Sequence, residues 1–517
     1  MVEFCSAKDV ANIVTDNSVI ATNGFVGIGV AEEILTALEN RYLETKSPKN
    51  LELYFAAGQG DSKDRGLNHL GYEGLVKRTV GGHWNLVPKL QELALSNKMQ
   101  SYNFPQGVIS HMFRDRSIGL NFTISKVGLK TYCDPRLEGG KLNSISTEDL
   151  VELIEIDGEE FLKYKTPKLD FVILRGTYAD EVGNISLENE ALTIDAYSLA
   201  AAGKACNAKV IVQVEDVVEK GTLDPRLVKI PCVMVDYVVK TSDVAKYHCQ
   251  TFGTLYNPSL CGNTRAVLSK TPPVGLTNRK VCARRAAEFF EDGYTANLGI
   301  GMPETVAMVI NEEGQGDKIN MSVEPGITGG VPLGGLDFGA SINPLAIVDQ
   351  VYQFDFYNGG GLDIAVLGLA QVDKYGNVNV SKFGTRVAGC GGFIDISQNV
   401  KKCIFIGTFT AGGLKQKIGD GKLEIIEEGK SKKFIDEVEQ VTFSAQYARE
   451  IKQEVYYITE RAVFTLGDES IKLIEIAPGV DLQRDVLDLM DFRPEIAENL
   501  KTMDANLFKE DKIGLIL

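Results

Sequence analysis

Apolar and polar positions along the chain form two alternating patterns. Short apolar runs predict strands at residues 51–57, 171–174, 210–214, 364–367 and 403–407. Amphipathic stretches between such runs predict helices at residues 31–43, 278–292 and 303–313. Because strands and helices alternate along the chain, the pattern predicts an α/β fold built mainly on parallel sheets.

The two halves of the chain resemble each other. A strand at residues 169–174 and a following Asp-x-x-Gly-Asn turn at 180–184 match residues 362–367 and 373–377, at a constant offset of 193. Each half also has an earlier glycine loop that enters a predicted helix. The first half carries a large insertion at roughly residues 58–157. Since both features recur in the same order, we interpret the halves as an internal duplication.

A polar, turn-rich segment separates the two halves. Residues 256–277 contain three prolines and two glycines, a composition typical of a linker. We therefore predict an N-terminal domain at residues 1–255, a linker at 256–277 and a C-terminal domain at 278–517.

Composition narrows the class of protein. A chain of 517 residues that is 44% apolar and 24% charged is expected to form a soluble globular protein of two or more domains. Its nine cysteines are scattered and include no CxxC pair, which predicts free thiols in the reducing cytoplasm and no structural zinc. No secretory or membrane-spanning segment is predicted.

Charge and motifs exclude several functions. The net charge of −16 disfavours nucleic acid and membrane surfaces as partners, although a local nest of N–H groups can still bind an anion. The glycine pairs at 27/29 and 299/301 resemble a dinucleotide fingerprint, but Glu32 and Glu304 replace its third glycine. P-loop, HExxH and GxSxG motifs are missing, and the four histidines are dispersed. An acyl-transfer site would therefore need a nucleophile other than a Ser–His pair.

Glu324 is the leading candidate for that nucleophile. It ends an apolar stretch and enters a segment with six glycines between positions 326 and 339. Glycines let the backbone approach a ligand closely, and bare N–H groups can stabilise an oxyanion beside a nucleophilic carboxylate. A surface glutamate in a turn is the alternative.

Two further glycine segments follow predicted strands, at residues 386–393 and 407–415. Each is either a tight turn or a backbone-amide surface for an oxyanion or a diphosphate. The charge for such a ligand would come from a set of nearby basic residues: Lys382, Arg386, Lys415 or Lys417. In the first half, Gln106 ends a strand-like run, exposes its amide, and either binds a carboxylate or caps a turn.

Several blocks in order resemble the family I CoA-transferases. They are residues 322–332 (SVEPGITGGVP), 352–363 (YQFDFYNGGGLD), 376–384 (GNVNVSKFG), 388–393 (AGCGGF), 175–180 (RGTYAD) and 221–226 (GTLDPR). Within that family, the chain is most similar to the propionate/acetate (short-chain acyl) CoA-transferases in which two domains are fused. In this chain Pro-Gly-Ile-Thr follows the glutamate, and members of the family differ in the residues at these positions.

The resemblance implies two tandem α/β domains of the CoA-transferase (NagB/RpiA-like) type. It places the family's nucleophilic glutamate on Glu324 and a substrate-facing glutamine on Gln106. It places CoA-binding or oxyanion groups on Gly299, Ile300, Gly301, Gly391 and Gly392. It also implies a homo-oligomer, a tetramer or dimer, whose partners are acyl-CoA and short-chain carboxylates; the cytoplasmic location is expected from the cysteines, as above.

The implied reaction is ping-pong transfer of CoA through a glutamyl-CoA thioester, with no metal and no cofactor beyond CoA itself. Three alternatives stay open. They are an acyl-CoA hydrolase on the same fold, a non-catalytic CoA-ester-binding protein, and a sugar-phosphate isomerase or similar phosphate-binding enzyme.

Overall fold

The computed structural model describes residues 2–267 and 273–517, so part of the predicted linker, residues 268–272, lies outside the described residues. The chain divides into two compact units. The first comprises residues up to Ala266 together with Val323–Asp355 and Thr385–Asp395. The second comprises the rest of the described chain. The glycine-rich segment that carries Glu324 therefore clusters with the first unit, and the predicted domain limits stay a prediction.

The elements of the first half run in chain order. Its strands are β1 (Glu3–Phe4), β2 (Val19–Thr22), β3 (Leu51–Phe55), β4 (Val76–Gly81), β5 (Gln100–Asn103), β6 (Phe122–Ser125), β7 (Val151–Ile156), β8 (Glu159–Lys165), β9 (Phe171–Arg175), β10 (Tyr178–Asp180), β11 (Ile185–Ser186), β12 (Lys209–Val214), β13 (Asp216–Val218), β14 (Val228–Ile230) and β15 (Tyr237–Lys240). Its helices are α1 (Ala7–Ile13), α2 (Glu32–Thr45), α3 (Pro88–Leu95), α4 (Gln106–Ser117), α5 (Ala196–Ala205) and α6 (Val244–Tyr247).

The second half continues the numbering. Its strands are β16 (Thr295–Leu298), β17 (Asn320–Val323), β18 (Ile327–Thr328), β19 (Val331–Pro332), β20 (Ser341–Ile342), β21 (Ala346–Ile347), β22 (Ile364–Gly368), β23 (Gln371–Asp373), β24 (Val378–Asn379), β25 (Lys382–Phe383), β26 (Arg386–Val387), β27 (Lys402–Ile406), β28 (Thr410–Ala411), β29 (Lys415–Gly419), β30 (Lys422–Glu427), β31 (Ser431–Lys432), β32 (Phe434–Ile435), β33 (Glu454–Ile458), β34 (Ala462–Leu466), β35 (Ile471–Ile476) and β36 (Glu495–Thr502). Its helices are α7 (Asn278–Ala287), α8 (Glu304–Glu312), α9 (Gln350–Asn358), α10 (Phe393–Asn399), α11 (Ala445–Glu450) and α12 (Leu482–Asp485).

A parallel sheet forms the centre of the first unit, with strand order β1-β15-β12-β9-β2-β3-β4-β5. Its central strands are apolar on both faces, and Val210, Ile211 and Val212 are fully buried. Such strands are typical of sheets covered by helices on both sides. Helix α5 packs closely because Gly203 has no side chain: a Cβ there would lie 2.7 Å from Val210 Cγ2.

The second unit has a corresponding parallel core, β17-β16-β22-β27-β33, which continues through β34, β35 and β36. The predicted α/β class with parallel sheets is confirmed. The helix predicted at residues 278–292 ends at Ala287, because the chain must turn back through Gly293, at a φ of 87°, to enter β16.

The Asp-x-x-Gly-Asn turn, which occurs in both halves of the sequence, has the same geometry in both units. The carboxylate of Asp180 accepts hydrogen bonds from the N–H of Asn184 and from its side chain, both at 2.9 Å. The carboxylate of Asp373 accepts the same two bonds from Asn377, again at 2.9 Å. The strand order β15-β12-β9-β2 likewise corresponds to β33-β27-β22-β16. This agreement supports the interpretation of a duplication, which stays a prediction.

No helix in the described parts of the chain is both long and apolar enough to cross a membrane. All nine cysteines are free, and five of them are buried.

Candidate active site

Glu324 lies at the start of the tight turn that links β17 to β18, and it is half-buried. The turn is held in place because the backbone of Gly326 packs closely against the backbone of Val348. The N–H of Val348 donates to the carbonyl of Gly326 at 2.8 Å, and a Cβ at Gly326 would lie only 2.0 Å from the carbonyl oxygen of Val348. With a φ of 120° as well, this position excludes other residues. The backbone next to the Glu324 carboxylate is therefore rigidly placed.

The predicted Gly391-Gly392 segment lies against Glu324. The position that a Cβ would take at Gly392 is 3.4 Å from Glu324 Cγ and 3.3 Å from Phe354 Cζ. The N–H of Gly391 already donates to the carbonyl of Gly82 at 2.8 Å. The N–H of Gly392 has no acceptor within residues 2–267 and 273–517. Of the two predicted oxyanion glycines, Gly392 therefore keeps its donor for a ligand.

Gln106 lies on the other side of the same segment. Its backbone N–H donates to the carbonyl of Gly391 at 2.9 Å, and its Oε1 is 3.8 Å from the Cβ position of Gly391. The prediction that its amide is exposed is wrong, because Gln106 is the first residue of α4 and only 2% exposed. Its Nε2 donates to Gln350 Oε1 at 2.9 Å. The structure thus brings Glu324, Gly391, Gly392 and Gln106 together in the first unit.

His83 also contacts this group, and sequence reasoning missed it. Its Cδ2 lies 3.6 Å from the Cβ position of Gly391. Burial, together with the charge of Arg386, lowers the pKa of His83 to about 4, so the ring is neutral at pH 7. The only signal in the sequence was its position next to the glycine pair 81–82.

A buried polar cluster lies behind Gln106 and was also missed. It consists of Gln350, Ser110 and Asp195, which are at most 1% exposed. Burial raises the pKa of Asp195 to about 7, and the nearby Asp349 carboxylate adds to this increase. These residues are far apart in sequence, so no local pattern could have revealed the cluster.

The predicted Gly299-Ile300-Gly301 loop belongs to the second unit. It follows β16 and leads into α8, as the sequence predicted. The N–H of Gly299 donates to the carbonyl of Val366 at 2.9 Å. Ile300 is 54% exposed, and a Cβ at Gly301 would meet no atom within 4 Å. The loop is thus open on the side of Gly301.

Two of the predicted basic residues have other partners. The Nζ of Lys415 forms an ion pair with Glu427 Oε2 at 2.5 Å. The Nη2 of Arg386 donates to Asn85 Oδ1 at 2.6 Å. A phosphate ligand would have to compete with these contacts.

Comparison with known proteins identifies relatives over the full length. A family model described as Coenzyme A transferase matches residues 5–241. The chain is 47% identical to the caffeate CoA-transferase of Acetobacterium woodii, covering 100% of this chain and 99% of that protein. It is 43% identical to the acetate CoA-transferase YdiF of Escherichia coli K12, and the match covers 100% of this chain and 97% of that protein.

A solved structure that also carries the name YdiF is similar to this chain over its full length. The crystal structure of the acyl-CoA transferase YdiF from Escherichia coli O157:H7, as a thioester complex with CoA, superposes with a TM-score of 0.94 at 42% identity. The match covers 100% of this chain and 98% of that chain.

Proposed function

The chain belongs to the coenzyme A transferase family, and we propose that it moves CoA between a short-chain acyl-CoA and a free carboxylate, with Glu324 as the nucleophile. Transfer of CoA is the activity class of its full-length relatives. The observation that supports the assignment to Glu324 is its position: a half-buried carboxylate on a fixed turn, with the Cβ position of Gly392 only 3.4 Å from its Cγ.

The proposed first half-reaction has two steps. A carboxylate oxygen of Glu324 attacks the thioester carbonyl of the acyl-CoA, the C–S bond breaks, and CoA leaves as thiolate. The product is a mixed anhydride between the acyl group and Glu324. The thiolate then attacks the glutamyl carbonyl of this anhydride, which releases the free carboxylate and leaves CoA on Glu324 as a thioester.

The second half-reaction reverses these steps with a different carboxylate. The incoming carboxylate attacks the glutamyl thioester and expels CoA thiolate, which then attacks the new acyl group. Glu324 is regenerated as carboxylate. Because one thioester replaces another, no ATP, metal or redox group is needed, and we propose that CoA is the only cofactor. Chelation with EDTA is expected to leave the transfer rate unchanged.

A carboxylate is a weak nucleophile, so its surroundings must stabilise the transition state. One preorganised donor at an oxyanion typically contributes about 3–4 kcal/mol. The N–H of Gly392 is the donor that we propose for this role, since that of Gly391 already donates to Gly82. We propose that the open Gly299–Gly301 loop contacts the remote part of CoA, whose binding energy positions the thioester.

Exclusion of water decides between transfer and hydrolysis, because an anhydride or glutamyl thioester in contact with water would hydrolyse. Apolar side chains lie beside the Glu324 turn: Val348 contacts Gly326, and Leu345 donates its N–H to the carbonyl of Thr328. Their side chains are 40% and 70% exposed. We propose that a bound acyl-CoA covers this apolar surface.

The acyl range is proposed from the family resemblance. One methylene changes binding by only about 1–3 kcal/mol, so a broad range of short carboxylates is expected. One full-length relative is named for acetate and another for the much larger caffeate. A panel of acetate, propionate, butyrate and caffeate as acceptors for acetyl-CoA would define the range.

Initial-rate kinetics test the proposed reaction. Ping-pong transfer predicts parallel double-reciprocal lines when acyl-CoA and carboxylate are varied together. Assays without acceptor should release free CoA at a small fraction of the transfer rate. Intersecting lines, or CoA release that is independent of acceptor, would replace the proposal with a sequential transferase or a hydrolase.

We also propose a cytoplasmic location, which the nine free thiols support. A homo-oligomer, tetramer or dimer, is proposed from the family resemblance, and light scattering during size exclusion would measure it.

A further inference from the structure

A single buried carboxamide holds the segment that precedes Gly392. Asn103 is the last residue of β5 and is fully buried. Its Oδ1 accepts the backbone N–H of Cys390 at 3.0 Å. Its Nδ2 donates to the carbonyl of Gly81 at 2.7 Å and to that of Gly82 at 2.6 Å. All of these residues belong to the first unit.

The partners of Asn103 determine which end of its carboxamide carries the oxygen. A carbonyl can only accept and a backbone N–H can only donate, so the NH₂ end must face Gly81 and Gly82. The hydroxyl of Tyr132 donates to the same Oδ1. Burial raises the pKa of Tyr132 well above its usual range, so this hydroxyl keeps the proton that it donates. Both hydrogens and both lone pairs of the Asn103 carboxamide are therefore used.

The carbonyl of Gly82 links this carboxamide to the next residue of the segment. It accepts Asn103 Nδ2 at 2.6 Å and the backbone N–H of Gly391 at 2.8 Å. Asn103 thus holds the N–H of Cys390 directly and that of Gly391 through one carbonyl. The next N–H along the chain is that of Gly392, which has no acceptor in the described parts of the chain.

The segment needs such support because its own backbone is permissive. Gly389 and Gly391 lie in the left-handed region, with φ of 75° and 52°. Glycine also adopts other backbone angles readily, so the local sequence does not determine where the N–H of Gly392 points. A donor that stabilises an oxyanion must be in place before the reaction, because it then needs no reorganisation during it. The hydrogen bonds of Asn103 supply this placement.

No other side chain reproduces these hydrogen bonds at position 103. Aspartate has the shape of asparagine, but it supplies at most one donor when protonated and none when ionised. Leucine has a similar shape without any polar atom, and glutamine is longer by one methylene. A position that served packing alone would not need a buried group with two donors and two acceptors.

We propose that Asn103 is a positioning residue: it holds residues 390–391 so that the N–H of Gly392 faces the oxyanion of the transition state. That oxyanion forms when Glu324 attacks the thioester carbonyl. Gly392 lies against Glu324, since its Cβ position is 3.4 Å from Glu324 Cγ. The inference rests on the proposed function, because it takes Gly392 to be the oxyanion donor.

Asn103→Asp is the test variant. It replaces the NH₂ end with an oxygen that faces the carbonyls of Gly81 and Gly82, so the segment is expected to move. The oxyanion is absent from the bound substrate, so kcat and kcat/KM should fall together while KM stays unchanged. A misplacement of about 1 Å costs about 100-fold in rate, and we expect a loss of about this size in transfer from acetyl-CoA to propionate.

Asn103→Ser provides a second variant without added charge. Its single hydroxyl cannot serve both sides of the carboxamide, so kcat should fall by at least about 10-fold. This variant judges the inference if Asn103→Asp does not fold. Tm is measured on every sample.

Asn143→Asp is a matched control, because Asn143 makes the same kind of contact elsewhere in the first unit. Its Nδ2 donates to the carbonyls of Ala94 at 2.7 Å and Met99 at 2.8 Å, and its Oδ1 accepts the hydroxyl of Ser146 at 2.6 Å. Met99 precedes β5, whereas Asn103 ends it, so the control lies at the other end of this strand. It should lower Tm by removing a donor from these carbonyls, and it should keep kcat within about twofold of wild type.

The inference is overturned if folded Asn103→Asp keeps the wild-type kcat, if its loss appears in KM instead, or if Asn143→Asp loses kcat by the same factor. The rate of CoA-adduct formation on Glu324, with acyl-CoA alone, separates the two proposals. A wild type that forms no adduct refutes the proposed function. An adduct that forms in Asn103→Asp at the wild-type rate refutes the inference alone.

Discussion

Gly392→Ala is the substitution that probes the surroundings of Glu324 most directly. The new Cβ would lie 3.3 Å from Phe354 Cζ and 3.4 Å from Glu324 Cγ. The first distance is tighter than ordinary packing and the second is just at contact, so one of the two side chains must move by a few tenths of an ångström. Gly392 does not have a positive φ, so the backbone accepts alanine without strain.

The expected loss can be worked out from this crowding. Overpacking by one methyl group costs about 1–3 kcal/mol, and a misplacement of about 1 Å costs about 100-fold in rate. A smaller shift of Glu324 should therefore lower kcat/KM by about 10-fold, or about 1.4 kcal/mol. The assay is CoA transfer from acetyl-CoA to propionate, with Tm measured on the same samples.

A matched control is Gly419→Ala, where the new Cβ meets nothing within 4 Å and φ is not positive. It is expected to keep full activity. An unchanged kcat/KM in Gly392→Ala, at an unchanged Tm, would refute the reasoning that this glycine makes room for the Glu324 side chain.

Three further predictions follow from single groups. Glu324→Gln should lower kcat by at least about 1000-fold, and Glu324→Asp should also be poor because its carboxylate is one methylene shorter; near-normal transfer by either would exclude Glu324 as nucleophile. Asp195→Asn should be more stable than wild type, because folding raises the pKa of Asp195 from 3.8 to about 7 and so opposes its ionisation. The free energy of unfolding of the wild type should fall by at most about 4 kcal/mol as pH rises from 3.8 to 7. The difference in Tm between Asp195→Asn and wild type should therefore grow up to pH 7 and then stay constant. Burial opposes ionisation of Glu190, yet Arg175 and then His248 lower its pKa to about 2. Glu190→Gln leaves the Arg175 charge buried without its partner, so the free energy of unfolding at pH 7 should fall by about 3–5 kcal/mol. Equal Tm values for this variant and the wild type would contradict the prediction.

The fold was largely predictable because its central strands carry their own signal. The apolar runs at 171–174 and 210–214 became β9 and β12, which are buried on both faces. The Asp-x-x-Gly-Asn turns were equally readable, since the aspartate side chain and a glycine with φ of 93° determine them locally. The end of α7 was not predicted, because the turn at Gly293 depends on where the chain must enter the sheet.

The site was predictable only in part. Glu324 and the Gly391-Gly392 segment could be named from local glycine patterns and from the family resemblance. Asp195 could not, because its contact with Gln350 joins residues that are distant in sequence and depends on tertiary packing. The same reason explains why Gln106 was expected to be exposed: the carbonyl of Gly391, which covers its backbone, comes from a remote segment.

Mass spectrometry of the protein mixed with acyl-CoA, before any acceptor is added, tests the central claim. The account predicts a peptide containing Glu324 that carries CoA as a thioester, which borohydride reduces and which disappears when a carboxylate is added. The same experiment with Glu324→Gln should show no adduct. Steady turnover by the wild-type protein with no label on Glu324 would contradict the account.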